Sequence, residues 1–420
     1  MPQDQPVKAL LVALTDDAPA AVYVVNRLTP ELLCFFVTEQ AKTLVESLVQ
    51  PHIQQMPRRW DWVVTPDAAN IMVCDQALSR MLPELLKKWD VQFGELVVDL
   101  TGATPAMAAA LSAASLPWTS RVVTLVDASA ASEKTDESVV IEGRERLWLQ
   151  GNPWDEAAPV ARHEGCELFN RGAFSAAAST FRHLEARVSG GQKPFYRALA
   201  DLADGYQLWE RFQYRLAWDK LKTSLKALDM AALWGGPPGV KSLIPLIKAN
   251  AGFLEKIVLD PAEVKEAVAL DLLAHAGRRA HVDHDPEAAM RALVRALEAF
   301  AQQQLYKQYK IKTWDVQPEQ LPETLRETCR SCYLDDIDGK FKLPLQSQFR
   351  VLAGLGDQMG QVFLAQWPKM KPLLDAASQA VLGHGFEPVK AERVQQLHDI
   401  VVKLSGVSET SLPRFPILNL

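Results

Sequence analysis

The stretch Val97-Val98-Asp99-Leu100-Thr101-Gly102-Ala103-Thr104-Pro105-Ala106-Met107 decides the fold of the first third of the chain. It leaves the apolar run Leu96–Leu100, crosses a short polar turn and enters the Ala-rich segment Ala106–Ala114. That order is strand, turn, helix. Outward from it, Val7–Thr15 and Leu32–Thr38 are compact apolar runs, as strands buried on both faces should be. Trp60–Val64 and Arg121–Val126 are weaker strands. Gln40–Gln54 and Asp75–Trp89 place apolar residues at three- and four-residue intervals and read as helices. The alternation predicts a mostly parallel α/β sheet of Rossmann-like type.

In open parallel sheets ligands collect beyond the carboxyl ends of the strands. Gly102 lets the backbone approach a ligand, and the helix start behind it offers unpaired N–H groups. Thr101 and Thr104 add hydroxyls, and Pro105 suits a first helical position. Together they favour an anionic, phosphate-bearing ligand. The same residues also suit a plain strand–helix turn capped by a Thr, and spacing alone divides the two readings evenly. GxxxxGK and GxGxxG are both missing. Thr15, ending the first strand, is a further candidate contact, whereas Asp16 and Asp17 suit a helix cap or solvent.

A chain of 420 residues with 48% hydrophobic and 23% charged residues reads as two or three globular domains. The first 150 residues carry 12 Lys and Arg against 19 Asp and Glu, and the remainder 33 against 32. Neither part is a polyanion-coating surface, which excludes bulk nucleic-acid packaging. Five scattered cysteines fit a reducing compartment. The opening MPQDQPVKAL lacks a basic region followed by an apolar core, and no apolar run reaches the roughly 20 residues of a membrane span. A cytoplasmic protein without a membrane partner is expected.

Ala128–Val140 is small, polar and charged, and reads as an exposed loop. Gly151-Asn152-Pro153-Trp154 is a breaker. Past Pro159 the pattern is helical over Glu164–Val188, Pro194–Trp218, Pro261–Arg279, Pro286–Tyr309 and Ser347–Gln366, with interruptions at 232–245 and 313–325. The expected organisation is an α/β domain over 1–150 and an all-α domain over 151–420.

The segment DLTGATPAM resembles the strand–turn–helix motif of CARF domains, which sense cyclic oligoadenylates in type III CRISPR immunity. LVALTDDAPAAVYVVNRLTPELLCFFVTEQ is similar to the opening of CRISPR-associated CARF–HEPN proteins. GNPWDEAAP, ELFNRGAFSAA, GYQLWERFQYRLAW, RALVRALEAFAQQQL and VLGHGFEPV resemble that family's helical half, in order. The resemblance implies a CARF sensor, a helical HEPN-like ribonuclease domain and a homodimer. It implies a cyclic oligoadenylate activator, with cyclic tetra-adenylate the first choice, held by Thr15, Thr38, Thr101, Gly102, Ala103, Thr104 and Met107. It implies a single-stranded RNA substrate, and no metal or other cofactor for catalysis.

Two departures from the family pattern matter. Ala103 and Pro105 replace a Gly and a Lys in the turn, which argues against cleavage of the messenger. The nuclease signature pairs an Arg with a His, four to six residues lying between them; His384 is present, but Ala377 stands where the aligned Arg would be.

Metal-independent RNA cleavage needs a group that moves protons and a cation that steadies the phosphorane. His suits the first and Arg the second. His384 lies between two glycines at a helix end, where backbone carbonyls attract a protonated ring. Arg393–His398 and Arg279–His284 have four intervening residues, so Arg393 and Arg279 are substitute cations, with Arg278 a further phosphate contact. Because Ala377 displaces the Arg, a silent regulator or adaptor that binds cyclic oligoadenylate without cutting RNA is the alternative. Cys329-x-x-Cys332 is a lone pair, too few ligands for zinc. Trp209, Phe212, Tyr214 and Trp218 read as core, and Lys307–Lys312 as a solvated helix end.

Overall fold

The computed structural model describes residues 7–92, 94–118, 120–127, 138–141, 145–150, 158–188, 190–233 and 236–420. Ala128–Glu137 and the Gly151–Trp154 breaker lie outside the described residues. The chain divides into two units: Met1–Pro159 with Leu184–Lys193, and Val160–His183 with Pro194–Leu420.

The first unit is built on a seven-stranded sheet of order β3-β2-β1-β4-β5-β7-β6. Its strands are β1 Ala9–Leu14, β2 Leu32–Val37, β3 Arg59–Val64, β4 Leu96–Gly102, β5 Arg121–Asp127, β6 Ser138–Ile141 and β7 Glu145–Gln150. β1 to β5 pair in parallel, and β7 and β6 close the far edge antiparallel. β1 (ALLVAL) and β2 (LLCFFV) are buried throughout because helices cover both faces. Leu11, Ala13, Cys34 and Phe36 point to the side of α3 (Ile71–Lys88) and α4 (Pro105–Ser115). Their neighbours Leu10, Val12, Phe35 and Val37 point to the side of α1 (Ala18–Leu28) and α2 (Glu39–Leu44). The expected helix over Gln40–Gln54 is shorter: α2 passes into a π-helical turn at Val45–Val49 and a 3₁₀ turn at Gln50–His52. The expected loop over Ala128–Val140 is corrected at its end, since Ser138–Val140 lies in β6, paired with β7. These strands are short and neighbour a polar stretch, so they present no run to recognise.

The second unit is helical. Its elements are α5 Pro159–Asn170, α6 Phe174–Arg187, α7 Lys193–Glu210, α8 Tyr214–Leu233, α9 Gly239–Leu259, α10 Glu266–His281, α11 Pro286–Tyr309, α12 Glu323–Cys332, α13 Leu345–Gly354, α14 Gln358–Gln379 and α15 Ala391–Ser405. α11 has the bounds its pattern predicts. Asp285 caps it, Pro286 opens it, and Ala289, Leu293, Ala296, Leu297 and Phe300 form a buried stripe. Three expected helices are each two helices. The chain reverses at Gly172 (φ +77°), Phe212 (φ +58°) and Gly356 (φ +80°). At such a helix–turn–helix corner the apolar spacing continues on both sides, so periodicity runs through the break.

No described helix is long and apolar enough to cross a membrane. Trp209 and Trp218 are buried as expected, whereas Phe212 is exposed. Lys307 and Lys312 pair with Glu266 and Glu263.

Candidate functional site

The first candidate site lies where β1 and β4 meet. Chain order runs outward from β1 through β2 to β3, then returns to β4 on the other side of β1. This is the topological switch point, where two neighbouring strand ends diverge and leave a crevice. Thr15 and Gly102 mark it: the Thr15 amide donates to the Gly102 carbonyl at 3.0 Å, and so does the Thr15 hydroxyl. Thr15, Thr38, Thr101, Gly102, Ala103 and Thr104 are all half-buried here.

Much of the turn's polar capacity is spent internally. Thr101 Oγ1 donates to Asp99 Oδ1 at 2.6 Å and accepts from the Leu125 amide at 2.9 Å. Thr104 caps α4 by accepting from the Met107 amide, and its hydroxyl donates to the Ala68 carbonyl. Thr38 caps α2 by accepting from the Ala41 amide. A Cβ at Gly102 would sit 3.0 Å from the Ala13 carbonyl oxygen, so the adjacent strand by itself favours glycine here. Met107 is a correction: its side chain is fully buried and its amide is occupied by Thr104, so it belongs to the core rather than to a ligand contact. The helix start remains available, with Ala106 in the first turn, where N–H groups have no intrahelical acceptor.

Beneath the turn, Asp99 is 1% exposed. Burial raises its carboxyl to about 6, although the Thr101 amide and hydroxyl both donate to it. Its second oxygen has no hydrogen-bond partner. Asp17 caps α1 through the Ala20 amide, as its type suggests.

The second candidate site is the turn after α14. The chain folds back so tightly that the His384 amide donates to the Ser378 carbonyl at 2.7 Å, and the Gly383 and Gly385 amides both reach the Ala380 carbonyl. A Cβ at Gly383 would lie 2.4 Å from the Ala377 carbonyl oxygen, and one at Gly385 would lie 2.3 Å from that of Gln379. Only glycine fits on either side of His384, whose own side chain is exposed. Glu287, in the first turn of α11, holds the turn from outside: its carboxylate accepts from the amides of Val389 at 2.9 Å and Leu382 at 3.4 Å. Sequence reasoning missed Glu287, a hundred residues away in the chain.

Three expectations about the accompanying cation change. Ala377 is 3% exposed and lies in the helical core, so an Arg there would have to displace packed side chains. Ser378 and Gln379, at the same allowed spacings, are exposed beside the turn. Arg279 is fully engaged: Nη2 to Glu210 at 2.9 Å, Nη1 to Asp283 at 2.7 Å and Nε to His275 at 3.3 Å. It is a strut among carboxylates and is withdrawn as a free phosphate contact. Arg393 is exposed in the first turn of α15, and among the described residues it forms no ion pair. His398, five positions on, is about 140° around the helix and half-buried, so the two do not converge.

Residues 262–408 match the family described as the Csm6 HEPN domain, and residues 158–254 match the Csm6 6H domain. The chain belongs to the CRISPR-associated CARF–HEPN family. A curated relative, the CRISPR system endoribonuclease Csm6 of Thermus thermophilus, is 25% identical over 335 residues, covering 76% of this chain and 70% of the relative. The structure of Enterococcus italicus Csm6 bound to cyclic hexa-2'-fluoro-hexa-dAMP superposes with a TM-score of 0.58 at 12% identity, covering 96% of each chain. That likeness establishes the shared fold: an N-terminal sheet followed by helices. The His384 turn falls inside the HEPN match, and the switch-point crevice lies in the N-terminal sheet unit, outside both matches.

Proposed function

We infer that this CARF–HEPN protein is a CRISPR ancillary ribonuclease controlled by a cyclic oligoadenylate. The observation that carries the reading is the His384 turn: an exposed imidazole between two glycines that tolerate no Cβ, pinned by Glu287 within the HEPN match. Such rigidity suits a general acid, which must meet the leaving oxygen at hydrogen-bond distance. No metal ion enters the proposed step; a guanidinium supplies the charge that steadies the phosphorane, and Arg393 is the candidate cation. The activator occupies the crevice at Thr15, Thr38, Gly102, Ala103 and the start of α4, with Thr101 and Thr104 shaping it. Cyclic tetra-adenylate is the first ring to test and single-stranded RNA the substrate.

A homodimer is part of the same reading, and the surface of the turn supports it. Val381, Leu382 and Phe386 are 59%, 54% and 94% exposed, an apolar rim around His384 that a second HEPN unit would cover. Two His384 side chains would then share one RNA cleft. For ligand to switch it on, the crevice must bind the active arrangement more tightly than the resting one.

The test measures cleavage of labelled single-stranded RNA with cyclic tri-, tetra- or hexa-adenylate, by the natural chain and by His384→Ala. Ligand-dependent cleavage lost in His384→Ala supports the reading; cleavage surviving the substitution removes it. The burial of Ala377 and the engagement of Arg279 favour a second reading, a regulator that binds ligand and cuts nothing. Ala377→Arg would test core packing rather than chemistry, so Gln379→Arg, on the exposed side, discriminates. Activity gained with Gln379→Arg identifies a disarmed nuclease; ligand binding without cleavage in both forms identifies the regulator.

A further inference from the structure

Arg279 joins the two matched segments of the helical unit. Glu210, in the 6H match, accepts from its Nη2 at 2.9 Å. Nη1 of the same guanidinium donates to Asp283 at 2.7 Å, in the corner between α10 and α11. Only Val282–Asp285 separates those helices, the length of a tight helical hairpin. Val282 and Asp283 donate their amides back to the Arg278 carbonyl, and Asp285 donates to that of Arg279 at 2.8 Å. His284 completes the reversal at φ +52°, a conformation that a residue other than glycine holds only where its surroundings fix it. Across the corner lies the reversal between α5 and α6, where a Cβ at Gly172 would come within 3.1 Å of Asp283 Oδ1.

The corner leads straight into the support of the His384 turn. Asp285 caps α11 by accepting from the Ala288 amide at 2.9 Å, and Pro286 fixes the first helical φ. One residue later, Glu287 accepts the Val389 and Leu382 amides. Between Glu210 and the turn the path is therefore an ion pair, a hydrogen-bonded hairpin and the first turn of a helix. A long loop would absorb a shift of the 6H helices, whereas so short and bonded a corner moves as a body.

We propose that Arg279 is a positioning residue for the His384 turn: it fixes the α10–α11 corner to Glu210 and, through Glu287, sets where the imidazole stands. Its kinetic consequence rests on the nuclease reading of the turn; its positional one does not. Hydrogen exchange of the full chain, resolved to single amides, tests it. Arg279→Ala leaves the Arg278–Glu210 pair in place and should speed exchange at Leu382 and Val389 about tenfold or more, with Leu293 and Leu297 in mid-α11 unchanged. Because the effect passes through Glu287, adding Arg279→Ala to Glu287→Ala should speed those amides less than about threefold further. Asp283→Ala spares every Glu210 contact and should act in the same direction by about threefold or more, which carries the test if Arg279→Ala does not fold. In the RNA assay with cyclic oligoadenylate both variants should lower kcat with KM nearly unchanged, and Asp283→Glu should recover part of the loss. Turn amides undisturbed in the folded variants, or equal increments with and without Glu287, would overturn the proposal. Faster exchange in a chain that cuts no RNA upholds it and removes only the nuclease reading.

Discussion

Asp99 shows how one buried carboxyl can cost the fold stability. Its folded carboxyl is raised from 3.8 to about 6 by burial, so the native state prefers it protonated. The native chain holds more protons than the unfolded chain between those values, and stability falls as pH rises from about 4 to 6, then levels. The cost above pH 6 is of order 2–3 kcal/mol. Asp99→Asn keeps an oxygen for Thr101 and removes the charge, so at pH 8 it should raise the stability of the sheet unit and flatten its pH dependence. Urea titrations at pH 5 and pH 8 measure both. Glycine is equally decisive at 383 and 385. Either Gly→Ala change drives a methyl into a backbone carbonyl, which cannot rotate away as a side chain would. A loss of about 1–3 kcal/mol in chemical denaturation is expected for each, with the His384 turn displaced.

Among elements, the contact between α11 and the turn after α14 carries a positioning prediction. Glu287 accepts the two amides that bracket His384. Glu287→Ala should speed hydrogen exchange at Val389 and Leu382. If the turn is catalytic, it should also lower kcat about tenfold or more with little change in KM, as expected for misplaced geometry. Glu287→Gln retains one acceptor oxygen and should recover part of both. A second junction joins α7 to α10. Burial alone would raise Glu210, but the His275 hydrogen bond and the Arg278 and Arg279 charges outweigh it and hold the carboxyl at about 2. A depressed folded value stabilises the protein above the ordinary value of 4.5, and that contribution is lost as pH falls toward 2. Glu210→Ala removes the carboxylate shared by Arg278, Arg279 and His275, leaving Arg278 only Asp271 at 3.5 Å, and should cost about 3–5 kcal/mol in thermal or chemical unfolding.

At the scale of the whole molecule, the proposed homodimer is tested at the exposed apolar rim of Val381, Leu382 and Phe386. Phe386→Asp should leave the folded monomer intact, since that ring is 94% exposed. In sedimentation velocity it should shift the chain from dimer to monomer and abolish ligand-dependent RNA cleavage. A dimer unmoved by Phe386→Asp would place the interface elsewhere.

The strand–turn–helix at Val97–Met107, the continuous apolar strands and the Pro286–Tyr309 helix were legible because burial on both faces and helical periodicity are written locally. The resemblance of DLTGATPAM and VLGHGFEPV located both candidate sites on the same local footing. What remained hidden depended on distant partners. Periodicity could not show that Gly172, Phe212 and Gly356 are corners, because spacing persists through a reversal. Nor could it show that Ala377 faces the core, that Glu287 grips the His384 turn, or that Arg278 and Arg279 share Glu210. The chain alone names charged groups and their intervals; whether a guanidinium finds a carboxylate, a ring or solvent is set only when remote helices pack.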